Sequence, residues 1–209
     1  MNHRIASLTI PLACAAALAV CRPVRGPSAD ERGTAPSPAV RIAFVPDAPQ
    51  YAEAAREYER LWAGEGERIV RALEAASGLS FVTPAYADTA ITAVVVEAPS
   101  NSGYRDRPMR MRASYPPDTK RATLAHELGH RLQSGLFRRE EEEHGPLFLW
   151  LYDAWVALWG REFADAQVAI ERRRGERYVK AWHEALALSP AERAARWRAL
   201  RDERLPTRR

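Results

Sequence analysis

The chain has 209 residues, room for one substantial core and little else, because a single core rarely grows much beyond about 200 residues before splitting. Its net charge of +4, from 31 basic and 27 acidic residues, is too small and too dispersed to argue for nucleic acid as a partner. The two cysteines, Cys14 and Cys21, lie near the amino terminus, which excludes a disulfide framework and any Cys-based zinc site further along.

The first residues read as a secretory signal over 1–21. Met1-Asn2-His3-Arg4 supplies a positive start, and Ile5 to Val20 is an uncharged apolar run shorter than the roughly 20 residues of a permanent membrane span. Two endings compete. Leu18-Ala19-Val20-Cys21 resembles the lipobox of bacterial lipoproteins, with Val20 departing from the usual small residue, whereas Ala17-Leu18-Ala19 offers an ordinary small-x-small cleavage site. Either way the protein is expected to be exported to the bacterial cell envelope or periplasm. Its membrane contact, under the first ending, is a lipid anchor at Cys21. Residues 22–39 are rich in Pro, Arg, Gly, Ser and Ala and read as a disordered linker, leaving 40–209 as the folded domain.

Val40 to Val45 alternates like a short strand that Pro46-Asp47-Ala48-Pro49 ends. A helix is expected from Tyr51 to Ala76, with Tyr51, Ala55, Tyr58, Leu61, Trp62, Ile69, Val70 and Leu73 on one stripe, and Gly78 suits its C-terminal cap. Two strands follow, Ile91 to Glu97 and Met109 to Tyr115, joined by the polar loop Pro99 to Tyr104. The second alternates Met109, Met111, Ala113, Tyr115 against Arg110, Arg112, Ser114, so one of its faces is wet. Beyond Pro117 the pattern is helical to the end, with breaks near Gly135, Gly145-Pro146, Gly160, Gly175 and Ser189-Pro190. Strands first and helices after indicate an α+β class.

Thr119 to Leu132 reads as an amphipathic helix capped by Asp118, with Leu124, Leu128 and Leu132 facing the core. It carries His126-Glu127-Leu128-Gly129-His130. Histidines four apart stand one turn apart on one face, with Cβ atoms about 6 Å from each other, so both rings can reach one ion. Glu127 projects beside them, free to move protons without ligating. Small Ala125 and Gly129 allow a neighbouring segment to approach.

A hydrolytic zinc ion needs a third protein ligand. Leu147 to Trp159 is almost wholly apolar and contains one acid, Asp153, which is costly to bury unless a cation meets it. Asp153 is therefore the leading third ligand; the competing reading pairs it with an arginine. His144 and Glu162 stand in reserve, and Glu162 could share an ion with Asp153 only if Gly160 breaks the helix. The acidic run Glu140 to Glu143 reads as a solvated loop, and Arg172-Arg173-Arg174 as helix surface.

At these residues the chain resembles the gluzincin branch of the zincin metallopeptidases. In the aminopeptidase-type members the His-Glu-x-x-His motif is followed by a glutamate ligand within Leu-Trp-Leu-Asn-Glu-Gly-Phe-Ala, and Leu149-Trp150-Leu151-Tyr152-Asp153-Ala154-Trp155-Val156 has the same texture. The likeness covers roughly Thr119 to Trp159. Aspartate is the shorter ligand, the gap from the first motif is longer, and no Gly-Ala-Met-Glu-Asn segment is present, so aminopeptidase specificity is not implied. What the resemblance does imply is a small zincin-like domain, with a short sheet at the N-terminal side and a helical C-terminal half. It further implies Zn2+ on His126, His130 and Asp153, and a peptide or protein substrate.

In that reading Glu127 takes a proton from zinc-activated water and later gives it to the leaving amine. Tyr178 and His183 are the candidates to stabilise the oxyanion, although Tyr178 also fits an apolar helix face with Val179, Trp182, Leu186 and Leu188. The strand Ile91 to Glu97 is either an internal strand or the edge on which a substrate adds. The six tryptophans are expected to pack between helices. The rival reading is a non-catalytic envelope lipoprotein that acts as a binding module. A lesser rival has the tail helix, Ser189 to Arg201, pack on a partner.

Overall fold

A computed structural model of the chain describes residues 40–81, 90–103, 107–137 and 144–205. The expected signal, linker, lipid anchor and acidic run Glu140 to Glu143 lie outside the described residues.

Three strands, β1 (Arg41–Pro46), β2 (Ala90–Val96) and β3 (Met109–Arg112), form one parallel sheet in the order β1-β2-β3. Ile42 stands opposite Ile91, and Val95 opposite Met111. β2 is therefore the central strand, hydrogen-bonded on both sides: of its two readings, internal strand or edge for substrate addition, the internal one holds. On the outer side of β3 the preceding loop folds back, so that Asn101 and Arg110 exchange backbone hydrogen bonds of 3.0 and 2.9 Å. The alternation expected for β3 holds at Met109 and Met111, both fully buried, but the strand stops at Arg112 rather than Tyr115.

Between β1 and β2 runs α1 (Ala52–Ser77), entered through a 3-10 turn at Pro49–Tyr51. Its buried positions Ala55, Tyr58, Trp62, Gly66, Ile69, Val70 and Leu73 follow the helical period, and the helix packs against β1 and α3, with the Tyr58 ring stacked on Phe44 of β1 at 5.4 Å. Gly64 and Gly66 do not interrupt it. Gly78 ends it in the left-handed region at φ 65°, with its N–H returning to the Glu74 carbonyl at 2.8 Å.

The remaining elements are helical: α2 (Pro117–Gln133), α3 (His144–Trp159), α4 (Arg161–Glu171), a 3-10 turn at Arg172–Arg174, α5 (Glu176–Leu186) and α6 (Pro190–Arg204). Three strands at the N-terminal side and a helical second half make the domain α+β. Among the described residues, no helix is long and apolar enough to cross a membrane.

α2 differs from the expected amphipathic helix. Nearly every residue from Thr119 to Gln133 is buried, polar ones included, because the helix is covered on all sides. Asp118 does not cap it: Pro116 occupies the N-cap and Asp118 sits in the first turn, paired with Arg121 at 2.7 Å. α3 is apolar all round and lies centrally, touching α1, α2, α4, α5 and α6. It crosses α2 at Gly129, where an added Cβ would lie 2.8 Å from Leu147 Cδ1 and 3.1 Å from Trp150 Cη2. The glycine inside the motif thus lets α3 approach, as its size suggests.

The tryptophans do pack between helices. Trp182 of α5 stacks on Phe148 of α3 at 3.8 Å and 9°. Trp197 of α6 is buried and donates from its indole to the Ser77 carbonyl at 2.7 Å, binding the last helix to the end of α1. The face of α6 carrying Arg193 and Trp197 is consumed inside the domain, which counts against a tail reserved for a partner. Its expected cap is present, with Ser189 and Glu192 forming a reciprocal capping box.

Glu65 of α1 clamps the layers. It accepts from Arg121 of α2 at 2.7 Å, Trp159 of α3 at 2.7 Å and Arg68 at 2.6 Å. Burial pushes its carboxyl up, but these three donors outweigh burial and hold it below the ordinary range. A depressed carboxyl stabilises the fold above its unfolded value of about 4.3, and that contribution disappears as pH falls through the folded value. Glu65→Gln is expected to cost about 2 kcal/mol at pH 7 and nothing well below pH 4. Thermal melts across pH 3 to 7 check this, since a gap independent of pH would contradict it.

Candidate metal centre

α2 presents His126 and His130 on one face because they are one turn apart, and their Nε2 atoms lie 3.1 Å from each other. His144, the first residue of α3, brings a third ring to the same point, with centroids 5.5 Å from His126 and 4.8 Å from His130. One nitrogen from each of the three lies within 4.8 Å of the others, so the three histidines are close enough to hold a metal ion. Two nitrogens on one tetrahedral zinc, each at about 2.0–2.1 Å, stand about 3.3 Å apart, and the observed separation fits.

Behind the cluster, Glu171 at the end of α4 is buried and sets its Oε1 2.7 Å from His126 Nδ1, an approach bent away from ideal hydrogen-bond alignment. Its other oxygen accepts from the Trp182 indole at 2.9 Å. A carboxylate close to Nδ1, with Nε2 turned towards the other rings, is the usual outer support of a metal-binding histidine. Burial pushes His126 towards the neutral form, against the pull of Glu171. Burial also opposes the charge on Glu171, but its polar neighbours, His126 with Arg174 and the Trp182 indole, outweigh it and hold the carboxyl below the ordinary range.

Glu127 is 4% exposed, and its carboxyl is pushed up to about 8 by burial, with Glu171 adding to the effect and Arg174 and Arg110 opposing it. That value belongs to the chain without an ion. A divalent charge nearby reverses the local balance in favour of carboxylate.

The other expected site residues separate. Asp153 does not join the cluster, because its carboxylate is held by Arg193 of α6, with Nη2 and Nε donating at 2.6 and 3.0 Å. The arginine reading of that acid, rather than the ligand reading, matches this geometry, and His144 takes the third place. Gly160 does end α3, yet Glu162 is exposed in the first turn of α4. His183 is exposed on α5, whereas Tyr178 lies at the cluster, its ring 4.5 Å from His144.

Comparison with known proteins finds no match by family model, by curated protein or by solved structure. The geometry therefore stands on its own.

Two residues that sequence reasoning missed complete the surroundings. Glu171 continues the buried stripe Ala164, Gln167, Val168 of α4, and an acid in line with buried positions is a readable signal. Arg174 looks like surface inside its basic tract. The 3-10 turn carries it inward instead, to 3.9 Å from Glu171 and between the rings of Tyr115 and Tyr178.

Proposed function

We propose that the chain is a zinc-dependent hydrolase, most simply a metallopeptidase of zincin type, with His126, His130 and His144 as ligands and Glu127 as general base. The observation that carries this reading is the convergence of three imidazoles, one of them backed by a buried carboxylate, next to a buried glutamate. Zinc held there would supply a Lewis acid for the carbonyl and lower the pKa of a water to about 7.

Glu127, adjacent in sequence to a ligand and outside the ligand set, would take a proton from the attacking water and return it to the leaving amine. Tyr178, whose ring lies beside His144, can donate its phenol to a developing oxyanion. A third histidine in place of a carboxylate departs from the gluzincin ligand set. It leaves the ion its full double charge, which favours the same chemistry. Export and a lipid anchor at Cys21 remain part of the proposal on the strength of residues 1–21 alone.

The test is metal analysis joined to hydrolysis. Protein stripped by a chelator is expected to lose cleavage of a denatured protein substrate, and to regain it with one equivalent of Zn2+. Failure to bind zinc overturns the reading, and uptake without cleavage of any peptide leaves only the binding module.

A further inference from the structure

We infer that Arg174 anchors a substrate carboxylate, so that the site takes ligands presenting a free carboxylate beside the metal. This deepens the hydrolase reading and rests on it. His126, His130, Glu127 and Glu171 are buried, whereas His144, Tyr178, Tyr115 and Arg174 are only partly so. Arg174, with 21% of its side chain exposed, thus stands on the partly exposed side of the cluster.

The guanidinium is held but not consumed. Its carbon lies 5.9 Å from the Tyr115 ring centre and 5.8 Å from that of Tyr178, a pair of aromatic faces that fixes its position while leaving its edge donors available. Its approaches to acceptors are long, 3.4 Å to Thr123 Oγ1 and 3.9 Å to Glu171, and the Tyr178 phenol adds a further contact. Both Glu171 oxygens have closer partners in His126 and Trp182. Arg174 thus feels Glu171 as a charge rather than through a made hydrogen bond. A planar fork with donors to spare suits a carboxylate.

Charge points the same way. With a divalent ion bound, the ion and Arg174 outweigh Glu127 and Glu171 by one positive charge, so the loaded site is complementary to an anion. The carboxylate can be the C-terminus of a peptide or an acidic side chain, and the probes separate the two.

The experiment measures binding, by calorimetry, of N-acetylphenylalanine, its amide, and the α-amide of N-acetylglutamic acid, with zinc uptake read on the same samples. The wild type is expected to bind the free acid more than about tenfold tighter than its amide, the scale of one charged hydrogen bond. Similar tightness for the glutamic amide identifies a side-chain carboxylate as an accepted source, and weakness there restricts the anchor to C-termini. Arg174→Gln should erase the acid preference while zinc affinity stays within about threefold, and Arg174→Lys should restore part of it. Equal binding of acid and amide in the wild type, or a preference that survives Arg174→Gln, overturns the anchor. Absence of zinc uptake overturns the metal reading alone, because the acid–amide comparison is repeated on metal-free protein, where Arg174→Gln must still remove the preference.

Discussion

Glu127→Gln is expected to lower hydrolysis by about a hundredfold to ten-thousandfold while zinc uptake stays unchanged within about threefold. The amide keeps the volume of the buried side chain and removes only the proton acceptor. Because Glu127 sits outside the three-nitrogen set, losing its charge leaves the ligands in place. The pairing of unchanged uptake with lost turnover separates a general base from a ligand, since a ligand would lose both. Full activity in the variant would rule the mechanism out.

The second large effect sets His144 against Asp153. His144→Ala is expected to weaken zinc binding by more than about a hundredfold, since it removes one of three protein ligands and loss of a supporting residue alone costs about ten- to hundredfold. The ring is only half-buried, so the metal-free protein should melt nearly as the wild type does. Asp153→Ala is expected to do the reverse. It leaves the Arg193 guanidinium buried without its carboxylate, at a cost of about 3 kcal/mol, or about 6–12 °C in melting temperature. Zinc uptake should be retained. The opposite pattern, zinc lost with Asp153 and kept without His144, would restore the ligand set that the apolar helix suggests.

These two residues show where sequence reasoning stops. An acid in an apolar helix must meet a cation, and that much is legible; whether the cation is an ion or a guanidinium depends on Arg193, which only the fold brings to it from a distant helix. His144 carries no periodic signal at the start of α3, and its nearness to His126 and His130 depends on α3 crossing α2 at Gly129. The elements themselves were readable, because the Met109 and Met111 alternation, the α1 stripe and the Gly78 cap are local effects. Strand order is not, since alternation identifies a strand without naming its neighbours, and only the fold decides that β2 is internal rather than an edge. α2 misled for a related reason: its polar residues suggest a wet face, and burial there is decided by what packs over Arg131 and Gln133.

The hydrogen bond from Trp197 to the Ser77 carbonyl spans 120 positions of chain. The end of α1 therefore meets this partner only once α6 has docked, and the entropy of closing so long a loop is paid before that contact returns anything.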